Sequence, residues 1–246
     1  MAREIGMILE VLPERSAGAA ENMAADFMLL QRYPNEKAVR YRHYGWRSPA
    51  FTFGYSQKIS FVRSQLPEGG ALDLCRRPTG GGIVDHRDDW TYAVVIPRGH
   101  PLEEARAAQS YRAIHEALTL AFVAAGVPAA LQATSPEPAG GEPGGPAGVC
   151  FERVEIFDIV HAATGAKIAG GAQKRNKRGI LFQGSILRPA AGGDAVDWAR
   201  LGADLPARLA ETLDAHASPT PWPEFAEGEL EGLADQYSSP EWMEFR

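Results

Sequence analysis

Hydrophobic residues recur along this chain with two periods, and the switches between them mark its elements. Residues 5–12 form a short apolar run closed by Pro13, the pattern of a buried strand. From residue 19 to 33 the period lengthens. Met23, Phe27 and Leu30, with Ala24 and Met28, fall at helical spacing, and Ser16 is placed to cap that helix. Alternation over residues 38–46 predicts a half-buried strand, and further strands follow over 51–55, 71–75 and 90–97. The last of these is rich in β-branched and aromatic side chains.

The longest helical pattern covers residues 103–125, with Ala105, Ala108, Ile114, Leu118, Ala121 and Phe122 on its apolar face and Gly126 and Pro128 to stop it. Residues 133–149 are then dominated by Ala, Gly, Pro, Ser, Thr and Glu, a composition that cannot bury a core face. Such a stretch serves either as a linker between domains or as an active-site loop. The loop is favoured, because it ends at Cys150 and strand patterns resume at once over 155–160, 166–169 and 179–187. The segment 194–246 reads as helical and punctuated by proline, and no internal repeat is present. Strands in the middle and helices near both ends predict an α+β fold, a central mixed or antiparallel sheet flanked by helices, as one domain over 1–246.

At 246 residues the chain is long enough to bury a substantial core. A net charge of -6 argues against a general nucleic-acid binder, although basic clusters survive at Arg76-Arg77 and between Lys174 and Arg178. No apolar run approaches bilayer length, and the N-terminus lacks the apolar core of a signal peptide, so a cytoplasmic protein with no membrane partner is expected. Two cysteines are too few for a disulfide framework. Reduced thiols are expected, with a Cys75–Cys150 bridge as the weaker alternative.

Candidate chemistry clusters at two glycine-rich turns and one thiol. Gly80, Gly81 and Gly82 follow the strand over 71–75. Three glycines let a backbone approach a ligand closely, and the preceding Arg76 and Arg77 add guanidinium groups for an acidic group; a tight hairpin is the plain alternative. Lys167 stands before Gly170 and Gly171, where a lysine beside bare backbone makes an electropositive concavity. A strand lysine is otherwise a solvated surface residue. Cys150 follows the polar stretch, whereas Cys75 alternates with Leu72 and Leu74 as a core residue would. Nothing in the sequence pairs His86 with Cys150, and no metal-ligand spacing is present, so no metal is expected.

Residues 76–86 (RRPTGGGIVDH) resemble the signature of the lipoate–protein ligase and octanoyltransferase family, RRxxGGGxVxH. Lys167 to Ala172 is similar to its KxxGxA turn, and Gln183-Gly184-Ser185 to its HGS-type strand. The resemblance runs from the first helix to Leu187 and implies a fold like the biotin/lipoate ligase catalytic domain. Two positions depart from the pattern. Arg87 stands where an aspartate is usual, and Gln183 where a histidine is usual.

Within that family, Cys150-Phe151 followed by a strand and Lys167 is similar to the Cys-dependent octanoyltransferases. The resemblance then implies that Cys150 takes an octanoyl group from an acyl carrier protein and passes it to a lysine of a lipoyl-accepting domain, the glycine cleavage H protein or a dehydrogenase E2 subunit. Lys167 would hold the carbonyl and favour the thiolate. Arg76, Arg77, Thr79, Gly80, Gly81, Gly82, His86, Gly170, Gly171, Ala172 and Gly184 would bind substrate, with no cofactor. The alternatives are an ATP- and Mg-dependent lipoate–protein ligase, and an inactive member that only binds.

Overall fold

The computed structural model describes residues 6–32, 37–134, 148, 150–151 and 153–245. The active-site loop expected over 133–149 therefore lies outside the described residues except for 133, 134 and 148. The chain opens with β1 (Met7–Val11), β2 (Arg15–Ala17), α1 (Ala19–Gln31) and β3 (Ala38–Trp46). A small subassembly follows: β4 (Ala50–Phe53), α2 (Ile59–Gln65), β5 (Asp73–Arg76) and β6 (Val84–Asp85). Next come β7 (Asp89–Pro97), α3 (Pro101–Glu104), α4 (Ala107–Ala124), β8 (Ala129–Leu131), β9 (Ile159–His161), β10 (Lys167–Asn176) and β11 (Gly179–Leu187). The chain closes with α5 (Arg188–Ala191), α6 (Trp198–Thr212), β12 (Ala215–Pro219), α7 (Glu229–Ser238) and α8 (Pro240–Met243).

Nine of the described strands form one mixed sheet in the order β12-β1-β3-β7-β11-β10-β9-β8, with β2 also beside β3. The β1 and β2 pairings are parallel, and those from β3 through β8 antiparallel. Because strand side chains alternate between faces, β7 feeds two cores. Tyr92, Val94 and Ile96 pack with Ile114, Leu118 and Phe122 of α4 and Leu201, Leu205 and Leu209 of α6. Ala93 and Val95 pack with Met23, Leu29 and Leu30 of α1 and Ala234 and Tyr237 of α7. Burial on both sides suits the β-branched and aromatic side chains read over residues 90–97. The α+β architecture with flanking helices is as the sequence predicts.

Three local expectations are corrected. Ser16 does not cap α1 but lies in β2; Gly18 is the cap, its N–H donating to Glu21 Oε2 (2.7 Å), while Ala19 N–H donates to Asp73 Oδ2 of β5 (2.7 Å). A cap borrowed from 54 residues away leaves no local signal. The helix over 103–125 is broken, because Ala105 and Arg106 are extended and Arg106 caps α4 anew. The helical segment 194–246 contains β12, which extends the sheet in parallel beside β1, pairing Met7 with Ala215 and Val11 with Pro219. Its sequence, Ala-His-Ala-Ser-Pro, has little strand propensity, so the partner decides its conformation.

Candidate active site

The three-stranded sheet β5-β4-β6 supplies one wall. Arg76 ends β5 and Arg77 follows it, so alternation sends their side chains opposite ways. Arg77 turns inward: its Nη1 donates to Thr52 Oγ1 (3.0 Å) and its Nη2 to the carbonyls of Gly80 (2.7 Å) and Gly82 (2.8 Å). The triple-glycine loop is thus wrapped around a buried cation. Burial pushes the Arg77 guanidinium down from its ordinary value, and the nearby Cys150, Tyr44 and Cys75 oppose this.

Arg76 goes elsewhere. It is fully buried and donates to the carbonyls of Tyr55, Gln57, Trp242 and Met243, tying the β4–α2 connection to α8. The structure gives it an anchoring place, away from the cavity, rather than the ligand contact expected from the sequence.

Gly82 explains how Cys150 reaches this wall. Ile83 N–H donates to Gly148 O (3.0 Å), and Cys150 N–H donates to Ile83 O (2.8 Å), a two-bond strip that seats the thiol-bearing backbone. A Cβ on Gly82 would lie 2.3 Å from Gly148 O and 3.1 Å from Cys150 N. Only glycine admits that approach.

The opposite wall is β10 and β11. Gly170, Gly171, Ala172, Gln183, Gly184 and Ser185 line a narrow cavity of about 30 Å³ with Met23, Tyr44, Thr52, Arg77, Gly81, Val84, His86, Thr91 and Cys150. Of the residues proposed from sequence, Arg77, Gly81, His86, Cys150, Gly170, Gly171, Ala172 and Gly184 meet here, and Lys167 reaches Cys150 from the side. Gly80 and Gly82 shape the loop, and Thr79 is buried behind it, donating to Gln183 Oε1 (2.6 Å).

Lys167 is not a solvated strand lysine. A register shift between Lys167 and Ala169 against β9 re-aims it, and its side chain is 4% exposed. Its Nζ lies 2.7 Å from Asp158 Oδ2, and it donates to Cys150 O (2.9 Å) and Arg153 O (3.1 Å). Cys150 Sγ lies 3.9 Å away. The lysine therefore holds the backbone on either side of Phe151 while its charge stays beside the thiol. Glycine at 170 makes room for it, since a Cβ there would sit 2.7 Å from Lys167 Cε.

Asp158 is the residue the sequence did not flag. Its Oδ1 accepts from Tyr111 Oη, which in turn accepts from Gly171 N–H (3.0 Å), and its Oδ2 also accepts from Glu155 N–H (2.7 Å). Burial and the Asp158 carboxylate push the Tyr111 hydroxyl well above its usual range, so it remains a donor. Phe157 presents Asp158 from a left-handed backbone (φ 68°), an uncommon conformation for a bulky side chain. His115 Nδ1 donates to Phe157 O (2.6 Å) and Phe157 N–H to Gln132 O (2.9 Å), and these bonds hold the kink.

Burial pushes His115 down to about 4, so it is neutral at pH 7. The unfolded chain, with an ordinary histidine near 6.5, takes up the proton first as pH falls. Stability present above pH 6.5 is therefore lost between about 6.5 and 4, by about 3 kcal/mol. Urea unfolding at pH 7.5 and 4.5 is expected to show a larger acid loss in the wild type than in His115→Gln, by about 2–3 kcal/mol. Equal losses would remove His115 as the cause.

His86 faces the cavity from the first wall. Its Nδ1 is 2.7 Å from Asp89 Oδ2 and its Nε2 2.7 Å from Thr52 Oγ1, with Trp46 stacked on the ring at 4.0 Å. Asp89 Oδ2 also accepts from Thr91 and Ser185 hydroxyls. The Asp89 carboxylate can only accept, so His86 Nδ1–H donates to it, and Thr52 Oγ1 closes the chain at Nε2. Gln183 Nε2 donates to Asp26 Oδ2 (2.6 Å), and Asp26 pairs with the buried Arg42 (2.6 Å). Arg87 points outward and forks onto Asp85, so that departure from the family pattern lies outside the cavity.

Cys75 and Cys150 are both free thiols, so the alternative bridge is not formed. Among the described residues no group of three or more His, Cys, Asp or Glu side chains is placed to hold a metal ion, and no helix is long and apolar enough to cross a membrane.

With this geometry in place, a model of the lipoyl protein ligase A/B catalytic domain matches residues 18–193. The chain belongs to that family. Residues 18–193 run from the cap of α1 to just beyond α5, so both walls of the cavity belong to the lipoyl ligase A/B domain. Octanoyltransferase LipM from Symbiobacterium thermophilum is 34% identical over 169 residues, covering 68% of this chain and 60% of the relative. Its namesake from Bacillus subtilis is 34% identical over 175 residues, covering 70% of this chain and 62% of the relative. The match thus spans about three fifths of these curated relatives' length. A bi-partite lipoate protein ligase from Thermoplasma acidophilum superposes with a TM-score of 0.68 at 19% identity, covering 99% of this chain and 98% of that one. A lipoate-protein ligase A bound with ATP superposes at 0.69 and 20% identity, covering 97% and 98%. These two likenesses establish the lipoyl ligase fold, matching the motif resemblance.

Proposed function

We propose that the protein is an octanoyltransferase working through a Cys150 acyl-enzyme. The observation that carries this reading is the position of Cys150 Sγ, 3.9 Å from the Lys167 ammonium at the edge of a cavity with glycine-rich walls. The 34% identity to octanoyltransferases supports it.

The Cys150 thiolate attacks the carbonyl carbon of an octanoyl thioester carried by an acyl carrier protein. The new S–C bond forms, the donor's S–C bond breaks, and the donor sulfur leaves as a thiol after taking a proton. A lysine amine of a lipoyl-accepting domain then attacks the acyl-enzyme. An amide forms, the amine loses its proton, and Cys150 is released. A thioester is already activated, so no ATP is consumed.

Lys167 stabilises the developing oxyanion by turning one donor from a backbone carbonyl to the substrate oxygen. The cavity is narrow, and unbranched Met23 is the wall side chain best able to yield to an acyl chain.

The test is incubation with octanoyl-acyl carrier protein, without ATP, followed by intact-mass measurement. One octanoyl adduct is expected. Adduct or product that forms only from octanoate or lipoate with Mg-ATP, with pyrophosphate released, would establish the ligase alternative instead.

Gly82→Ala is expected to lower the acylation rate by about 100-fold, because displacing the backbone at Gly148 and Cys150 by an ångström misplaces the nucleophile. Its melting temperature should stay within a few degrees of wild type, since Gly148 is exposed and Cys150 half-buried, and neither belongs to a core cluster. A normal acylation rate would show that the strip does not position the thiol.

A further inference from the structure

The exposed end of the β7, β10 and β11 strands carries a basic face that the catalytic site does not use. Arg98 follows β7, Lys177 and Arg178 form the β10–β11 turn, and Arg106 caps α4. They share one place because Arg98 N–H donates to Arg178 O (3.0 Å), while Gln173 Nε2 donates to Ala107 O (2.6 Å) and clamps the start of α4 against β10. Many exposed arginines elsewhere pair with carboxylates, as Arg32 with Glu229, Arg47 with Glu21, Arg63 with Glu244 and Arg112 with Glu116. Among the described residues none of these four cations has such a partner. The N-terminus of the 18-residue α4 adds its own partial positive charge. The nearby acids are Glu103, whose Oε2 accepts from Gly99 N–H, Glu104, and Glu155 in the groove, which pairs with Arg153 (3.0 Å), so the face remains net positive on a chain of net charge -6.

A groove of about 250 Å³ leads from this face to the nucleophile. Ala107, Ala108, Tyr111, Ile156 and Phe157 line it together with Gln173 and the Glu155 carboxylate, and it shares Gly171 with the cavity at Cys150. From Lys177 to Gly171 is six residues of extended strand, roughly 20 Å. The groove offers mainly apolar wall and one backbone strand edge, which suits a thin flexible chain rather than a folded surface.

We infer that this face docks an acidic carrier domain, whose thioester-bearing arm runs along the groove to Cys150. The inference rests on the proposed acyl transfer and names the surface that selects its donor. Opposite charge on the carrier would speed encounter and orient the arm, and salt would weaken it.

The experiment uses Cys150→Ala protein, so that no turnover occurs, and fluorescently labelled octanoyl-acyl carrier protein as the probe. Binding is measured by anisotropy at 50 and 300 mM NaCl, with and without Arg98→Glu, Lys177→Glu and Arg178→Glu together. Charge reversal is expected to weaken binding at least tenfold and to abolish its salt dependence. In the Cys150 background the same three changes should leave acylation by neutral S-octanoyl-N-acetylcysteamine within twofold. Carrier binding that survives charge reversal, that ignores salt or that is undetectable in the parent protein overturns the docking face. Failure of every thioester to acylate Cys150 overturns the transferase reading separately, while the binding measurement still decides the docking.

Discussion

Lys167→Met is expected to cost the protein both activity and stability, and a second substitution should separate the two. The side chains of Lys167 and Asp158 are 4% and 1% exposed. Removing one partner of such a pair leaves the other charge buried, at a cost of about 3–5 kcal/mol. Tyr111 Oη and Glu155 N–H remain on the carboxylate and soften that cost without cancelling the charge. Loss of the ammonium beside the thiol and the developing oxyanion should lower the acylation rate by about 100-fold or more. Replacing Asp158 with Asn in the same chain removes the stranded charge. The double variant should recover most of the stability, measured by urea unfolding, and none of the acylation rate. Full recovery of rate in the double variant would show that Lys167 serves only to neutralise Asp158. A single variant as stable as wild type would show that the pair contributes nothing to the fold.

Cys150→Ala is expected to abolish the octanoyl adduct altogether, whereas Cys75→Ala retains it. Cys75 is 0% exposed in the core beside α1 and α7, and burial pushes its thiol far above the ordinary range. A buried neutral thiol is unreactive. Cys150 is half-buried at the cavity wall. Iodoacetamide should therefore label Cys150 alone in the native protein and both cysteines in urea, with the sites read by peptide mass. Persistence of the adduct in Cys150→Ala, or native labelling at Cys75, would sink the covalent mechanism.

Most of the proposed residues that meet at the cavity were legible in the sequence, because each motif depends on a local requirement. Gly82 is glycine because a backbone strip must pass against it, and Gly170 because a lysine must fold over it. Such constraints leave their mark as residue types at fixed spacing. The strands from 38 to 46 and 89 to 97 were equally readable, since alternation and burial follow directly from the pleat. What tertiary structure alone decided is pairing over distance. Asp158 reads as an ordinary acid in the strand expected over 155–160 until β10 brings Lys167 to within 2.7 Å and α4 brings Tyr111. Arg76 and Arg77 are neighbours with the same chemistry in the sequence, yet the alternation of β5 sends one to the carbonyls around α8 and the other into the site. Ala215–Pro219 becomes a strand only because β1 offers a parallel edge. Local sequence constrains backbone shape and side-chain type, but a charge acquires its partner, and an edge its strand, from segments that meet only in the folded chain.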